Sequence, residues 1–158
     1  MKKIMIVFIT FIMLVGCVSK KTNEDLQFDT YNQIRNRLVE QNHFDEYTEF
    51  QVILVYNQLE DIYRYDIIID HPEIDMYNIT ALSYASEDED TMCPNIGIFD
   101  KNIYHLSTHI IDKTQGYYKG IQLSGTTQNK QTVKLYISYY TDNEQTNKIE
   151  KYIEVKEK

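Results

Sequence analysis

The chain has 158 residues, of which 24 are acidic and 16 are basic, and its formal net charge is −8. This length suits one domain that can bury a real core. An acidic chain without a basic cluster argues against nucleic acid as a partner. No phosphate-binding glycine loop is visible, so we expect no cofactor.

The first 16 residues have the pattern of a signal peptide. Lys2 and Lys3 give a positive start, and residues 4–15 form an apolar run broken only by Thr10. A dozen residues rise only about 18 Å as a helix, which is too short for a hydrocarbon core about 30 Å thick. The pattern therefore predicts a secretory signal rather than a membrane span.

The end of the apolar run, Leu14-Val15-Gly16-Cys17, resembles the lipobox of bacterial lipoproteins. The composition, rich in Ile, Lys, Asn and Tyr, resembles that of small Gram-positive lipoproteins. The resemblance implies cleavage before Cys17, a diacylglyceryl group on its thiol, and a lipid-anchored protein on the outer face of the cell membrane. Two or more acyl chains anchor stably. Residues 17–24 are then a polar tether.

Cys93 is the second of the two cysteines in the chain. With Cys17 lipidated, an exported protein would hold one thiol and no internal disulfide. The sequence leaves open whether Cys93 is free or paired between molecules, and we expect a buried, inert thiol.

Residues 25–44 form the predicted N-terminal helical segment, with the helix itself at 25–41. Phe28, Tyr31, Ile34 and Leu38 recur every three or four residues and mark one apolar stripe. We expect this stripe to pack against the core.

Residues 50–158 form the predicted β domain, because the apolar period changes to two. Six or seven short strands without an intervening helix favour an antiparallel, immunoglobulin-like β-sandwich. The alternative is an α+β fold in which the helix packs across one curved antiparallel sheet. A parity shift near Ala81-Leu82 predicts a bulge. The predicted strands are 52–56, 63–69, 77–84, 96–99, 117–124, 133–140 and 149–155.

The last two strands predict a specific register. Pairing residues whose numbers sum to 288 places Leu135 opposite Ile153 on one face and Tyr136 opposite Tyr152 on the other. A slip of one residue would break these matches, because side chains alternate between faces. Lys151 falls opposite Ile137, and we expect it at the rim of the sheet.

Two clusters raise the question of a metal. The acidic run at residues 87–90 could collect Ca²⁺, but it lacks the D-x-D-x-D-G loop and is predicted to be solvated. His105 and His109 are four residues apart with Asp100 and Asp112 nearby, yet they lie in β-type surroundings, where a helical zinc pair cannot form. The sequence therefore predicts no metal site.

The fourteen tyrosines are the clearest compositional signal. Tyr136, Tyr140 and Tyr152 are predicted to point out of the core and form a binding surface. Ser107 and Ser124 have no recognisable partner motif, so catalysis is not expected.

The sequence thus predicts a non-catalytic binding module with a protein, peptide or glycan partner. The alternatives are a small metal-dependent or hydrolase-like enzyme that uses His105, His109 or the acidic run, and a structural subunit of an envelope complex.

Overall fold

The computed structural model describes residues 21–85 and 92–157, which comprise one α-helix and nine β-strands. The predicted lipobox ending at Cys17 and the acidic run at 87–90 lie outside the described residues. None of the helices in the described part is long and apolar enough to cross a membrane. The elements are α1 Asn23–Glu40, β1 Gln51–Leu59, β2 Ile62–Asp70, β3 Tyr77–Tyr84, β4 Asn95–Ile96, β5 His105–Leu106, β6 Tyr117–Tyr118, β7 Gly120–Thr127, β8 Val133–Tyr140 and β9 Lys148–Val155.

A capping box starts α1. The Thr22 side chain accepts a hydrogen bond from the Asp25 backbone N–H at 3.2 Å, and the Asp25 carboxylate accepts one from the Thr22 N–H at 2.8 Å. Both otherwise unpaired backbone donors are satisfied by this exchange. The helix therefore begins at Asn23, two residues before the predicted start, and ends at Glu40.

The strands form two main antiparallel sheets, with orders β1-β2-β7 and β4-β3-β8-β9. In immunoglobulin nomenclature these are A-B-E and C′-C-F-G. Short strands β5 and β6 pair in parallel beside them. The predicted antiparallel immunoglobulin-like β-sandwich preceded by one helix is confirmed.

The predicted register of the last hairpin is also confirmed. Leu135 lies opposite Ile153, and Tyr136 lies opposite Tyr152. Lys151 lies opposite Ile137, as predicted, and its Nζ is 3.1 Å from a carboxylate oxygen of Glu49. The Lys151 ammonium, which interrupts the apolar pattern of the hairpin, is therefore paired with the Glu49 carboxylate.

The main core fills the space between the two sheets. Ile67 and Ile69 of β2 meet Leu135, Ile137 and Tyr139 of β8 in one buried cluster. The alternate residues Ile67 and Ile69 therefore form the inward face of β2. A strand that alternates in this way buries one face and leaves the other for a different layer.

Helix α1 supplies a third layer, on the outer face of the four-stranded sheet. Tyr31, Ile34 and Leu38 are buried against Leu82 of β3 and Tyr136 of β8. The sheet is thus covered on both faces, which explains why β8 is almost continuously buried.

Two polar contacts fix α1 on this sheet. The Lys134 Nζ donates hydrogen bonds to the backbone oxygens of Val39 and Gln41, at 2.7 and 2.9 Å. A cation at this place satisfies the free carbonyls at the end of a helix. Nearer the other end, the Tyr31 hydroxyl accepts a hydrogen bond from the Cys93 N–H at 2.8 Å.

The bulge of β3 lies earlier than predicted. The register shifts between Tyr77 and Thr80, and Asn78 has a φ of 49°. The prediction at Ala81-Leu82 was wrong because two adjacent apolar residues there do not mark a change of parity. Both are buried, one against the sandwich core and the other against α1.

Of the other predicted strands, one is shortened and one is divided. Strand β4 ends at Ile96 rather than at residue 99, because Gly97 has a φ of 74° and an ideal Cβ there would lie 2.5 Å from the Ile79 oxygen. Only glycine adopts this conformation at no steric cost. The predicted strand 117–124 is divided at Lys119 into β6 and β7.

Candidate functional site

Three connections meet at one end of the sandwich, here called the loop end: residues 71–76, 97–119 and 141–147. Met76 and Leu106 exchange two backbone hydrogen bonds, at 2.8 and 3.0 Å, which join the first connection to the second. Loops held by a rigid scaffold in this way are frequent sites of binding.

A cavity of about 290 Å³ opens at the loop end. It lies between the end of β2, the turn that follows it, and the segment around residue 109. Its lining combines ionisable groups with an apolar rim; the members that bear on function are Asp70, His71, Pro72, His109, Ile111 and Lys119.

Charge and backbone geometry distinguish this cavity. The His71 Nδ1 lies 2.9 Å from a carboxylate oxygen of Asp70, and its backbone φ is 46°, a strained value for a residue before proline. Lys119 is exposed and has no ion pair with any described residue. Ile111 exposes 63% of its surface. The site therefore offers a cation and an apolar contact side by side.

Ser107 lines the same cavity, but its hydroxyl caps a turn. Its Oγ accepts hydrogen bonds from the backbone N–H groups of His109 and Ile110, at 3.2 and 3.3 Å. Nearby, burial alone would raise the pKa of Asp75, but hydrogen bonds from Ser107 and Thr108 outweigh it and hold the pKa below its ordinary value. These contacts shape the wall of the cavity.

The two candidate metal-binding histidines, His105 and His109, lie in different environments. The His105 Nδ1 accepts a hydrogen bond from the Asn78 N–H at 3.1 Å, and its ring packs 4.7 Å from that of Tyr117. Burial lowers the pKa of His105. His109 is exposed on the loop. Among residues 21–85 and 92–157, no group of three or more His, Cys, Asp or Glu is placed to hold a metal ion.

The neighbouring aspartates cap local turns. Asp100 accepts a hydrogen bond from the Gly97 N–H at 3.0 Å. Asp112 accepts hydrogen bonds from the Thr114 side chain and N–H, at 2.6 and 3.0 Å, and these lower the pKa of Asp112. Both carboxylates stabilise the chain path that forms the loop end.

The predicted tyrosine surface requires a correction. Tyr136 is only 2% exposed, because α1 covers the face from which it projects. Tyr152 is half-buried beside it, with ring centroids 5.4 Å apart, and Tyr140 is half-buried at the end of β8. The prediction that Tyr136 faces solvent was wrong, and no open tyrosine ladder exists there.

A second cavity, of about 270 Å³, lies near the opposite end of the sandwich. Tyr65 and Ser83 line it, with their hydroxyl oxygens 3.2 Å apart, and burial raises the pKa of Tyr65 to about 12. Cys93 also lines this cavity as a buried, free thiol, as expected. An ideal Cβ on Gly125 would lie 2.5 Å from the Tyr65 oxygen, so a side chain there would displace the ring.

A polar network that was not predicted lies on the outer face of the three-stranded sheet. An oxygen of Asp66 accepts hydrogen bonds from Arg64, Gln122 and Ser124, the last at 2.6 Å. Burial would raise the pKa of Asp66, but these donors lower it overall. The pairing of β2 with β7 is the signal that would have revealed the network.

Comparison of the chain with protein-family models, with curated proteins and with solved structures found no match. Function must therefore be inferred from the geometry of the site and from the resemblance of residues 14–17 to a lipobox.

Proposed function

We propose that the protein is a lipid-anchored, extracytoplasmic binding module that binds its partner without catalysis. The lipobox ending at Cys17 supports the location. The loop-end cavity is the observation that carries the binding function, because a concave site with a few convergent polar groups is the usual form of a ligand site.

The topology of the fold also favours the loop end as the binding site. In immunoglobulin variable domains, the loops at one end of the sandwich bind the antigen. Here the connections 71–76 and 141–147 correspond to the B–C and F–G loops of that end. This argument is an analogy at the level of fold, and the side chains of the cavity must carry the specificity.

The side chains fit a ligand with an acidic group beside an apolar one, such as a short peptide. Lys119 would pair with the acidic group, and His109 lies on the same wall. Ile111 and Pro72 would contact the apolar part. Burial of an exposed apolar side chain and pairing of a free cation both favour binding.

One experiment tests the location. The Cys17→Ala variant should lose labelling by radioactive fatty acid and accumulate as an unprocessed or released form. Equal labelling of the variant and the wild type would contradict the lipid anchor.

A second experiment tests the ligand site. Thermal unfolding should be measured with short peptides that carry an acidic group next to an apolar residue, and with amidated controls. We expect the acidic peptides to raise the melting temperature of the wild type and to have less effect on Lys119→Glu. Equal shifts in both proteins would exclude Lys119 from the site. The matched control is Lys101→Glu, a second exposed lysine that does not line the cavity.

A hydrolase-like alternative would use residues other than the His105, His109 or acidic run suggested by the sequence, namely the pair Asp70–His71 beside Ser107 in the same cavity. It predicts that His71→Ala abolishes hydrolysis of a model ester. The binding proposal predicts no difference in ester hydrolysis between this variant and the wild type.

A further inference from the structure

The first turns of α1 expose two large apolar side chains. Leu26 and Phe28 are 51% and 52% exposed, although the helix buries its stripe at Tyr31, Ile34 and Leu38. The Phe28 ring also packs 5.6 Å from that of Phe99, edge to face. An exposed aromatic ring that is already held in place is a ready contact for another apolar phase.

The spacing of Leu26 and Phe28 determines how a partner surface can reach both. Two residues turn a helix by about 200°, so the side chains lie on opposite flanks of the buried stripe. A surface along one side of α1 would contact only one of them. A surface that meets the N-terminal end of the helix would contact both.

The lipid anchor would lie close to this end. Four residues lie between Cys17 and the N-cap Thr22, so five Cα-to-Cα steps join them. Fully extended, they span at most about 17 Å, and Phe28 lies about 9 Å further along the helix. The headgroup layer is about 5–7 Å thick, so a slack tether lets the helix end reach it.

We infer that the N-terminal end of α1 docks on the outer surface of the membrane. This inference rests on the lipid anchor proposed above. Leu26 and Phe28 would insert into the headgroup region. The tether raises the effective concentration of this weak contact, so the contact need not hold the protein by itself. Its role is to orient the domain.

The orientation passes to the whole sandwich because α1 is fixed at its middle and at its C-terminal end. The Cys93 N–H donates to the Tyr31 hydroxyl, and Lys134 holds the carbonyls of Val39 and Gln41. Docking of the helix end would therefore decide the direction in which the loop-end cavity faces.

The charges of the first turn determine the lipid preference. Glu24 and Asp25 lie there, and Lys21 already forms an ion pair with Asp29. Carboxylates are repelled by anionic headgroups. We therefore expect docking on zwitterionic phosphatidylcholine to exceed docking on vesicles rich in phosphatidylglycerol.

The chain contains no tryptophan, so a single introduced indole reports its own surroundings. The full lipidated protein, as Phe28→Trp or as Leu26→Trp, should be incorporated into phosphatidylcholine vesicles with brominated acyl chains. We expect quenching of both indoles, relative to vesicles without bromine. The control, Ile111→Trp at the rim of the cavity, should be unaffected.

The outcomes separate the inference from the anchor. Vesicle flotation with no quenching of either helix variant would overturn the docking and leave the anchor intact. Equal quenching of the Ile111→Trp control would overturn the orientation. Failure of every variant to float with the vesicles would overturn the anchor and the docking with it.

Discussion

The two outer faces of the sandwich are built differently. On the four-stranded sheet, α1 covers the face, and Leu82 and Tyr136 are buried beneath it. On the three-stranded sheet, the described residues supply no such cover: Val55 is 38% exposed, and Asp66 organises a network of polar side chains.

The difference shows that an unbroken apolar run in a strand indicates a packed layer on each side of it. Strand β8 carries apolar or aromatic residues on both faces because a second layer lies on each side. Strand β2 places Arg64 and Asp66 on its outer face, as expected for a strand with one wet side. Side-chain parity therefore identifies the two faces, but the neighbouring layer decides which of them is core.

The largest expected effect is on the covered face. Tyr136→Ala removes a buried ring that packs against α1, and large aromatic truncations typically cost about 3–5 kcal/mol of stability. Urea unfolding of the variant measures this loss. The matched control is Tyr140→Ala, a half-buried tyrosine of the same strand, for which we expect a smaller loss. Equal stability of Tyr136→Ala and the wild type would mean that α1 does not cover this face.

The helix side of the same interface gives the next effect. Leu38 is fully buried, and its replacement by Ala should cost about 2–5 kcal/mol. On the open face, Val55→Ala removes a partly exposed side chain, and its cost in stability should be well below that of Leu38→Ala. The difference between the two urea midpoints is the measurement, and a larger loss for Val55→Ala would reverse the comparison.

A smaller effect is expected on the open face itself. Asp66→Ala removes the common acceptor for Arg64, Gln122 and Ser124, and hydrogen bonds to a charged group are worth about 1.5–3 kcal/mol. We expect a loss at the low end of this range, because Arg64 remains open to water. Ser124→Ala, which removes one donor, should cost less, and the reverse order would show that Asp66 does not organise the network.

The smallest effect concerns the pH dependence of stability, for which His105 of β5 is compared with Asp66 on the open sheet face. Because burial lowers the pKa of His105, the unfolded chain binds a proton near pH 6.5 before the folded chain does. Stability should therefore fall as the pH decreases through about 6.5. The lowered pKa of Asp66 acts in the same direction, but only below about pH 4.

The variant His105→Gln isolates the upper pH range, because glutamine can still accept the hydrogen bond from the Asn78 N–H. Its free energy of unfolding should change less between pH 7 and pH 5.5 than that of the wild type. An unchanged slope would show that His105 does not titrate on unfolding.

Local patterns were enough to predict much of the fold. The helix stripe from Tyr31 to Leu38 and the register of Leu135 with Ile153 depend on neighbours in sequence or on one hairpin; Phe28, also predicted to lie in the stripe, is 52% exposed. The burial of Tyr136 depends on α1, about a hundred residues away, and was predicted wrongly. The cavity could not be predicted, because His71 and Lys119 come together only through the pairing of distant strands.

The most direct test of the central claim, binding through the loop end, is a map of contacts in cells. A photoreactive phenylalanine analogue should replace Ile111 at the cavity, Val55 on the open sheet face or Asn36 on the outer side of α1, each in the full-length protein. All three positions are exposed. Binding at the loop end predicts that light produces a crosslinked partner from position 111 alone. Crosslinks from position 55 or 36, with none from 111, would contradict it.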